Sequence, residues 1–497
     1  MYREVMSPVG AVSHIGRFQI GRESGTRGIA VSSNALNSNC ARPWSGFDLS
    51  RPRVRRAQSS IGSMNMKPTG LSPTYRLQQA KPAAHACADP KASNPTPKLR
   101  IAVFVAVLAG LTACGGHGGG NDSTGQTQAA LVAAGKQTFR FDTFGDETKW
   151  TDALRMQEVI STVDPTTALA VGLKVDSEAL PAAVVAGIQN GSISLTSPAT
   201  TVALLKLDAV VGVKGKVENV NGTDTLTRVG FTCALCHSTV DDTFAPGIGK
   251  RLDGWPNRAL NVGAIVALSP ALDATTRAVF NSWGPGKYDP RFNLDGMNGP
   301  QVIPPAYGLN GIHSITATGD GNNIAYWNRY VAVTQMGGHG SFSEPRTGVN
   351  VTNGNDDQVS NKLPGLQAYQ LTLNAPTPPA GSFDVVAAAR GQAVFNGAAR
   401  CSTCHSGPEF TDANTRLHPV SDAMGEPEAA GVPSYTSRSA TRQYRTAPLK
   451  GVWQHAPYFH NGSAATLDDV VNTYNSRQSL GLTSLQIADL VQYLKSL

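Results

Sequence analysis

The chain has 497 residues, room for two or three domains, and its 40% hydrophobic and 15% charged composition is that of a globular protein, not a disordered or collagen-like one. The net charge of +7 is unevenly placed: residues 1–100 hold 15 Lys/Arg against 4 Asp/Glu, and the remainder 27 against 31. Beyond residue 100 the chain is mildly acidic and offers a nucleic acid no basic surface, which excludes that class of partner.

Residues 1–97 are rich in Ser, Arg, Pro, Ala and Gly and carry no sustained helical or strand periodicity, so no domain is expected there. Lys98-Leu99-Arg100 reads as the basic start of a secretory signal, and Ile101 to Leu111 as its apolar stretch, too short to span a bilayer as a helix. The ending Leu111-Thr112-Ala113-Cys114 resembles the lipobox of bacterial lipoproteins. Residues 98–113 are therefore expected to be removed and Cys114 to be lipidated; an ordinary signal with an incidental Cys is the alternative. Because a signal belongs at an N-terminus, 1–97 is expected to be a disordered or untranslated extension. The Gly-rich run after Cys114 opens a flexible tether over 114–134. The expected location is the periplasmic side of a bacterial membrane, held by a lipid anchor.

A first domain is expected over 135–373. Thr151 to Ile160 has helical apolar spacing, Pro181 to Gln189 and Ala199 to Leu207 are shorter helix candidates, and Val210 to Val220 reads as a strand or hairpin. It leads into Cys233-Ala234-Leu235-Cys236-His237, whose twin is Cys401-Ser402-Thr403-Cys404-His405. This spacing suits c-type haem: two thiols bond to the vinyl groups of the porphyrin, and the adjacent His ligates iron. A zinc site or a redox dithiol would not need His directly after the second Cys both times. Two covalently bound c-type haems are expected, held by Cys233, Cys236, Cys401 and Cys404, with His237 and His405 as proximal iron ligands. Four of the seven cysteines are thereby used; Cys40, Cys87 and Cys114 leave no disulfide pair in the mature part.

The stretch from Ala245 to Pro300 is loop-rich, as suits a segment that wraps a large group. Asn323 to Val333 is helix-compatible and leads to Met336 and His339. Thioether and imidazole are the usual axial ligands, so Met336, His339 and His313 are candidates for the sixth position of the first iron; an open position is the alternative.

Residues 374–383 are a Pro-rich linker, and 384–497 a second domain. Asp384 to Asn396 reads as a helix entering the second motif. Thr483 is an N-cap with Gln486 at the capping-box position, opening an amphipathic final helix. Helix, haem motif and C-terminal helix in that order resemble the cytochrome c fold. The fold class expected is mainly α with long loops: two cytochrome c-like haem domains, the first enlarged and divergent.

The segment from Tyr444 to Asn475, with Ala456-Pro457-Tyr458-Phe459-His460-Asn461-Gly462 at its centre, resembles the bacterial di-haem cytochrome c peroxidase and MauG superfamily, and more distantly the di-haem rubber oxygenases. The match covers the C-terminal third well and the first domain only through its haem motif and Ala278 to Trp283. The resemblance implies that His460 lies beside the haems and that Tyr474 stands where the second haem's distal ligand does, Met in the peroxidases and Tyr in MauG; a core aromatic closing a helix is the other reading of Tyr474. It implies an electron-relay Trp between the haems, for which Trp283 is placed ahead of Trp327. His455 stands where peroxidases carry Thr near an interhaem calcium bound through backbone carbonyls, so calcium is left open. The family's distal-pocket Glu has no counterpart, and no catalytic residue is assigned: His339, Trp283 and His460 are the candidates.

Three functions follow. The first is an oxidoreductase that reduces peroxide, or takes dioxygen, at the first haem, with electrons from a small redox donor protein relayed by the second haem. The second is a pure electron-transfer cytochrome without substrate. The third is a rubber-oxygenase-like dioxygenase, favoured by Trp453 and the loop-rich first domain.

Overall fold

The computed structural model describes residues 127–425 and 434–497, all within one unit that spans Cys114–Leu497. The extension, the signal segment, the lipidation candidate Cys114 and the first part of the tether lie outside the described residues.

The architecture rests on one helix pair used twice. Helix α1 (Gln128–Phe141), capped by the Thr127 side chain on Ala130 N–H, packs against a helix at Leu363–Gln370. At their crossing, a Cβ on Gly135 would lie 1.8 Å from the Gly365 carbonyl oxygen, so only glycine permits the approach. One turn on, Phe139 meets Tyr369 edge to face at 5.6 Å. The C-terminal part repeats this: the helix Val385–Asn396 packs on the helix Ser484–Lys495. A Cβ on Gly391 would lie 2.0 Å from the Asp489 carbonyl oxygen, and Phe395 meets Tyr493 at 5.2 Å. Both pairs use Gly followed four residues later by Phe, the spacing of one helix face. The expected tether boundary is corrected accordingly: residues 128–134 are the first turns of α1, seven residues ahead of the expected onset of order.

What enlarges the first repeat is an insertion of residues 142–231 between α1 and the first Cys motif. In the second repeat, Asn396 and Cys401 are nearly adjacent. The insertion holds short helices Pro165–Ala170, Ala182–Gln189 and Pro198–Lys206 and an antiparallel hairpin, β1 (Val213–Val220) and β2 (Thr223–Phe231), bulged at Lys216/Val217. The helix expected over 151–160 is broken. A π-helical turn covers Thr148–Ala153, Arg155 takes a left-handed φ of 55°, and an α-helix resumes at Met156–Ile160. Likewise the helix Ile324–Tyr330 runs on as a π-helical turn, Val331–Met336. The described strands pair only as two-stranded pieces.

Among the described residues, two large cores and a small cluster of Leu309, Ile312, Ile315 and Ile324 serve the first repeat, and one core the second. Cys236 and Leu235 pack against the core that holds Trp283 and Phe280, whereas Cys233 packs against the one that holds Phe139, Phe144 and Met336. Cys401 borders a third core of Val394, Phe395, Leu490 and Leu494.

Candidate haem sites

The hairpin delivers the first motif. Thr232 N–H donates to the Gly212 carbonyl, and Gly212 adopts φ +77°, where a Cβ would lie 2.1 Å from Leu235 N. The motif turn (Ala234–His237) thus rests directly on the backbone that starts β1. Two bonds from the following loop lock it: Gly254 N–H donates to His237 O at 2.8 Å, and Asn257 N–H to Cys236 O at 2.9 Å.

His237 Nδ1 lies 3.1 Å from Pro304 O. A carbonyl can only accept, so Nδ1 carries the proton and Nε2 keeps its lone pair. Burial pushes the His237 pKa down to about 4, which keeps the ring in its neutral, ligating form. Burial likewise pushes the Cys233 and Cys236 thiols up to about 12.

The second motif repeats the device. His405 Nδ1 lies 3.1 Å from Phe410 O, and burial lowers its pKa. Arg416 spans Asp412 and Cys404 Sγ, while His418 Nε2 meets Asp412 at 3.1 Å and Thr446 Oγ1 at 3.0 Å. The Cys404, Asp412 and His418 donor atoms lie within 4.8 Å of one another, but the thiol belongs to the haem motif and the carboxylate is already held by Arg416. The Tyr474 hydroxyl makes no hydrogen bond among the described residues. Its pKa is raised by burial and then by the Cys401 and Cys404 sulfurs, and its ring lies 6.2 Å from that of Phe459. At each motif a thiol pair and an imidazole with its Nδ1 already used make a donor set that fits a c-type haem.

A polar chain of different make-up, built on a phenol, an amide and an ammonium, lies beside the first motif. Tyr288 OH donates to Gln335 Oε1 at 2.6 Å, Asn293 Nδ2 reaches the same oxygen at 3.2 Å, and Lys149 Nζ donates to Gln335 O. Tyr288 is raised by burial and then by the nearby Cys236 sulfur. Burial pushes Lys149 down to about 8 and the fully buried Asp146, which accepts from Phe231 N–H, up to about 9. Lys149 and Gln335 sit on the two π-helical turns, a local widening of the helix that recurs at functional sites.

Among the sequence-derived candidates, Met336 is buried in the core against which Cys233 packs. Trp283 is buried beside Tyr288, ring centroids 5.5 Å apart, with Nε1 donating to Asn298 Oδ1. Trp327 stacks on Tyr330 instead. His339 is engaged elsewhere, its Nδ1 2.8 Å from Asp356. His313 is exposed, its amide on Asn414 Oδ1. His460 stacks on Tyr444 at 4.8 Å, and its carbonyl accepts from Val302 N–H, which joins the two halves. Lys149, Asp146, Tyr288 and Gln335 escaped sequence reasoning, since none belongs to a motif; only Met336's neighbour in sequence hinted at Gln335.

The residues around His455 do not fit calcium. The Pro457 carbonyl accepts from Arg258 Nη1 at 2.9 Å, and no carboxylate pairs with this guanidinium among the described residues. A calcium ion takes six to eight oxygens, usually with carboxylates among them.

A family model described as "RoxA-like, cytochrome c-like" matches residues 443–480, the stretch that holds His460 and Tyr474. A cytochrome-c peroxidase of Denitromonas iodatirespirans is 31% identical over 22% of this chain and 40% of its own length. One from Pseudomonas sp. (strain SCT) is 30% identical over 21% and 36%. The methylamine utilization protein MauG of Methylophilus methylotrophus is 31% identical over 29% and 48%. Homologues of this chain are cytochrome c peroxidases and MauG. The chain spans less than half the length of these relatives. Among solved structures, a MauG-like protein associated with microbial copper homeostasis has a TM-score of 0.29 at 19% identity, covering 40% of this chain and 73% of that one. The hydrazine synthase of Kuenenia stuttgartiensis has the same TM-score at 18% identity and the same two coverages. At that score the likeness carries no argument.

Proposed function

We propose that this chain is an exported di-haem c-type cytochrome that reduces peroxide at the first motif, with electrons passed on from the second. The observation that carries the reading is the asymmetry of the two sites. The first has a polar chain of Tyr288, Gln335 and Lys149 together with the buried carboxyl of Asp146, whereas the second has the Tyr474 phenol and an Arg416–Asp412–His418 network that already pairs its charges.

A c-type haem, when bound, supplies a redox-active iron at each motif. Reduction of hydrogen peroxide to two waters takes two electrons and two protons; a small redox protein supplies the electrons. The chain's own part is positional and protonic. His237 and His405 present Nε2 with their rings fixed by Pro304 and Phe410. Tyr288 and Gln335 offer a donor and an acceptor next to the first motif, and the Lys149 ammonium holds a proton that burial has made easier to release. They are the groups that would take the acid's part, since the family's distal-pocket Glu is not placed in this sequence. Trp283, packed on Tyr288, is the relay candidate on the same wall. Export and lipidation at Cys114 are part of the proposal on the sequence of residues 98–114 alone.

A second reading is the rubber-oxygenase-like dioxygenase that the sequence resemblance implies, and the "RoxA-like, cytochrome c-like" match over residues 443–480 covers the segment that carries that resemblance. One experiment separates the readings. The haem-loaded protein is examined by electron paramagnetic resonance before and after half-reduction, then mixed with peroxide and a reduced small cytochrome. A high-spin or peroxide-reactive haem with donor oxidation supports the peroxidase. Two unreactive low-spin haems in both states leave an electron-transfer protein, and oxygen-dependent cleavage products from polyisoprene without peroxide turnover favour the dioxygenase.

A further inference from the structure

The strongest unassigned feature is a polar knot where the two repeats meet. Arg258 follows Asn257, whose backbone N–H holds the first motif through Cys236 O. Its guanidinium crosses to the second repeat, where Nη1 donates to Pro457 O at 2.9 Å. Around it, Tyr307 OH donates to Gly451 O at 3.0 Å and accepts from Gln454 Nε2 at 2.6 Å, and Tyr458 OH donates to Val452 O at 3.0 Å. Trp255 and Trp453 close the side of the knot, edge to face at 6.0 Å. Gly451 takes φ +74°, and a Cβ there would sit 2.5 Å from the Tyr307 oxygen. The knot is therefore tightly built.

Its charge is unusual. Arg258 is a partly buried cation without a carboxylate partner among the described residues, and desolvation lowers its pKa to about 10. Its Nε and the Nδ1 of His455 are both buried without a hydrogen-bond partner. The His455 pKa is held down to about 3 by burial and by Arg258's charge, which leaves that ring neutral. A guanidinium Nε–H is a donor and cannot ligate a cation. A divalent ion placed here would meet a like charge at short range in a poorly solvated setting and would lose the Pro457 oxygen to Arg258.

We propose that Arg258 is the resident cation of this junction: its guanidinium clamps the 451–458 segment to the first haem motif in the place where a peroxidase-like chain is expected to hold calcium, and the junction needs no metal. The proposal uses the family resemblance only to say where calcium is expected, and it does not depend on peroxide being the substrate.

The test uses the haem-loaded protein, desalted into metal-free buffer. Elemental analysis counts the calcium retained, and the melting temperature and haem electron paramagnetic resonance spectrum are followed in chelator and in millimolar calcium chloride. The expected result is no stoichiometric calcium, with melting temperature and spectrum the same in both solutions. Arg258→Ala is expected to melt about 3 °C or more below the wild type and to recover part of that loss with added guanidinium. Arg258→Lys, which keeps the charge but not the planar fork, is expected to fall between them. One calcium per wild-type chain, or a wild-type melting temperature or spectrum that moves with calcium, overturns the proposal. So does an Arg258→Ala protein as stable as the wild type. Should that variant not fold, the wild-type titration and Arg258→Lys decide, the latter overturning the proposal if it equals the wild type.

Discussion

His237 Nδ1 lies 3.1 Å from the Pro304 carbonyl oxygen, which joins the end of the motif turn to a loop 67 positions farther on. The bond sets which ring nitrogen is free to ligate, and it makes the loop-rich stretch between them part of the haem site. His405 and Phe410 do the same across only five positions. The first site is thus the one more exposed to changes elsewhere in the chain, and also the one with the chemistry of the Tyr288–Gln335–Lys149 chain beside it.

That chemistry is testable at Tyr288. Tyr288→Phe leaves Gln335 Oε1 with Asn293 alone, at 3.2 Å. The expected loss of stability is about 1 kcal/mol, read from a chemical-denaturation midpoint. Peroxide turnover is expected to fall ~100-fold with the haem spectrum of the second site unchanged. A variant that turns over like the wild type would remove Tyr288 from the chemistry.

Tyr474 separates its two readings electrochemically. Phenolate ligation lowers the potential of a haem relative to thioether ligation. Tyr474→Met is therefore expected to raise the midpoint potential of one haem and leave the other in place, as measured by spectroelectrochemical titration. Unchanged potentials would make Tyr474 a packing residue only.

Asp146 predicts a pH dependence of stability. Burial raises its pKa to about 9, against roughly 3.9 in an unfolded chain, so its contribution is complete below about pH 4 and lost as pH rises toward 9. Lys149, lowered to about 8, acts oppositely: its share is present above about 10.4 and lost as pH falls through 8. Between pH 6.5 and 8, above the window in which the lowered His237, His405 and His455 titrate, the Asp146 effect stands alone, with a slope of up to about 1.4 kcal/mol per pH unit. Asp146→Asn, which can still accept from Phe231 N–H, is expected to flatten the denaturation free energy over that window. A slope that survives the substitution belongs to another group.

The helix crossings set two effects against each other. Alanine is the better helix former by about 1 kcal/mol, but its methyl at Gly391 would lie 2.0 Å from the Asp489 oxygen, and at Gly135 1.8 Å from the Gly365 oxygen. Backbone cannot yield as a side-chain tip can. Gly391→Ala and Gly135→Ala are each expected to cost about 3 kcal/mol, seen as a fall in melting temperature. Equal losses at the two glycines would show that both crossings carry the same structural weight.

Much of this was legible in the residues themselves. Both Cys-x-x-Cys-His motifs and the Thr483/Gln486 capping box, now seen with both reciprocal bonds, depend on contacts within a few residues, so local pattern suffices. The Asp384 start and the Asn396 end of the helix before the second motif were read for the same reason. Its counterpart in the first repeat, α1, has no such reading, and the expected tether runs over its first turns, Gln128 to Ala134, which follow a Gly-rich run and show their packing only in the crossing with the Leu363–Gln370 helix. The break at Arg155 was hidden too, since apolar spacing continues across it while the backbone does not.

By itself, then, the sequence determined the two Cys-x-x-Cys-His spacings and the two terminal helices of the second repeat, because motif spacing and 3.6-residue periodicity are local properties. Tertiary structure alone decided which polar groups face each motif. The Tyr288–Gln335 bond closes over 47 positions, the Lys149–Gln335 bond over 186, and the Arg258–Pro457 bond over 199. No local preference encodes such pairs. They exist because burial removes water from these groups, and each must then find its partner wherever the packed chain brings one.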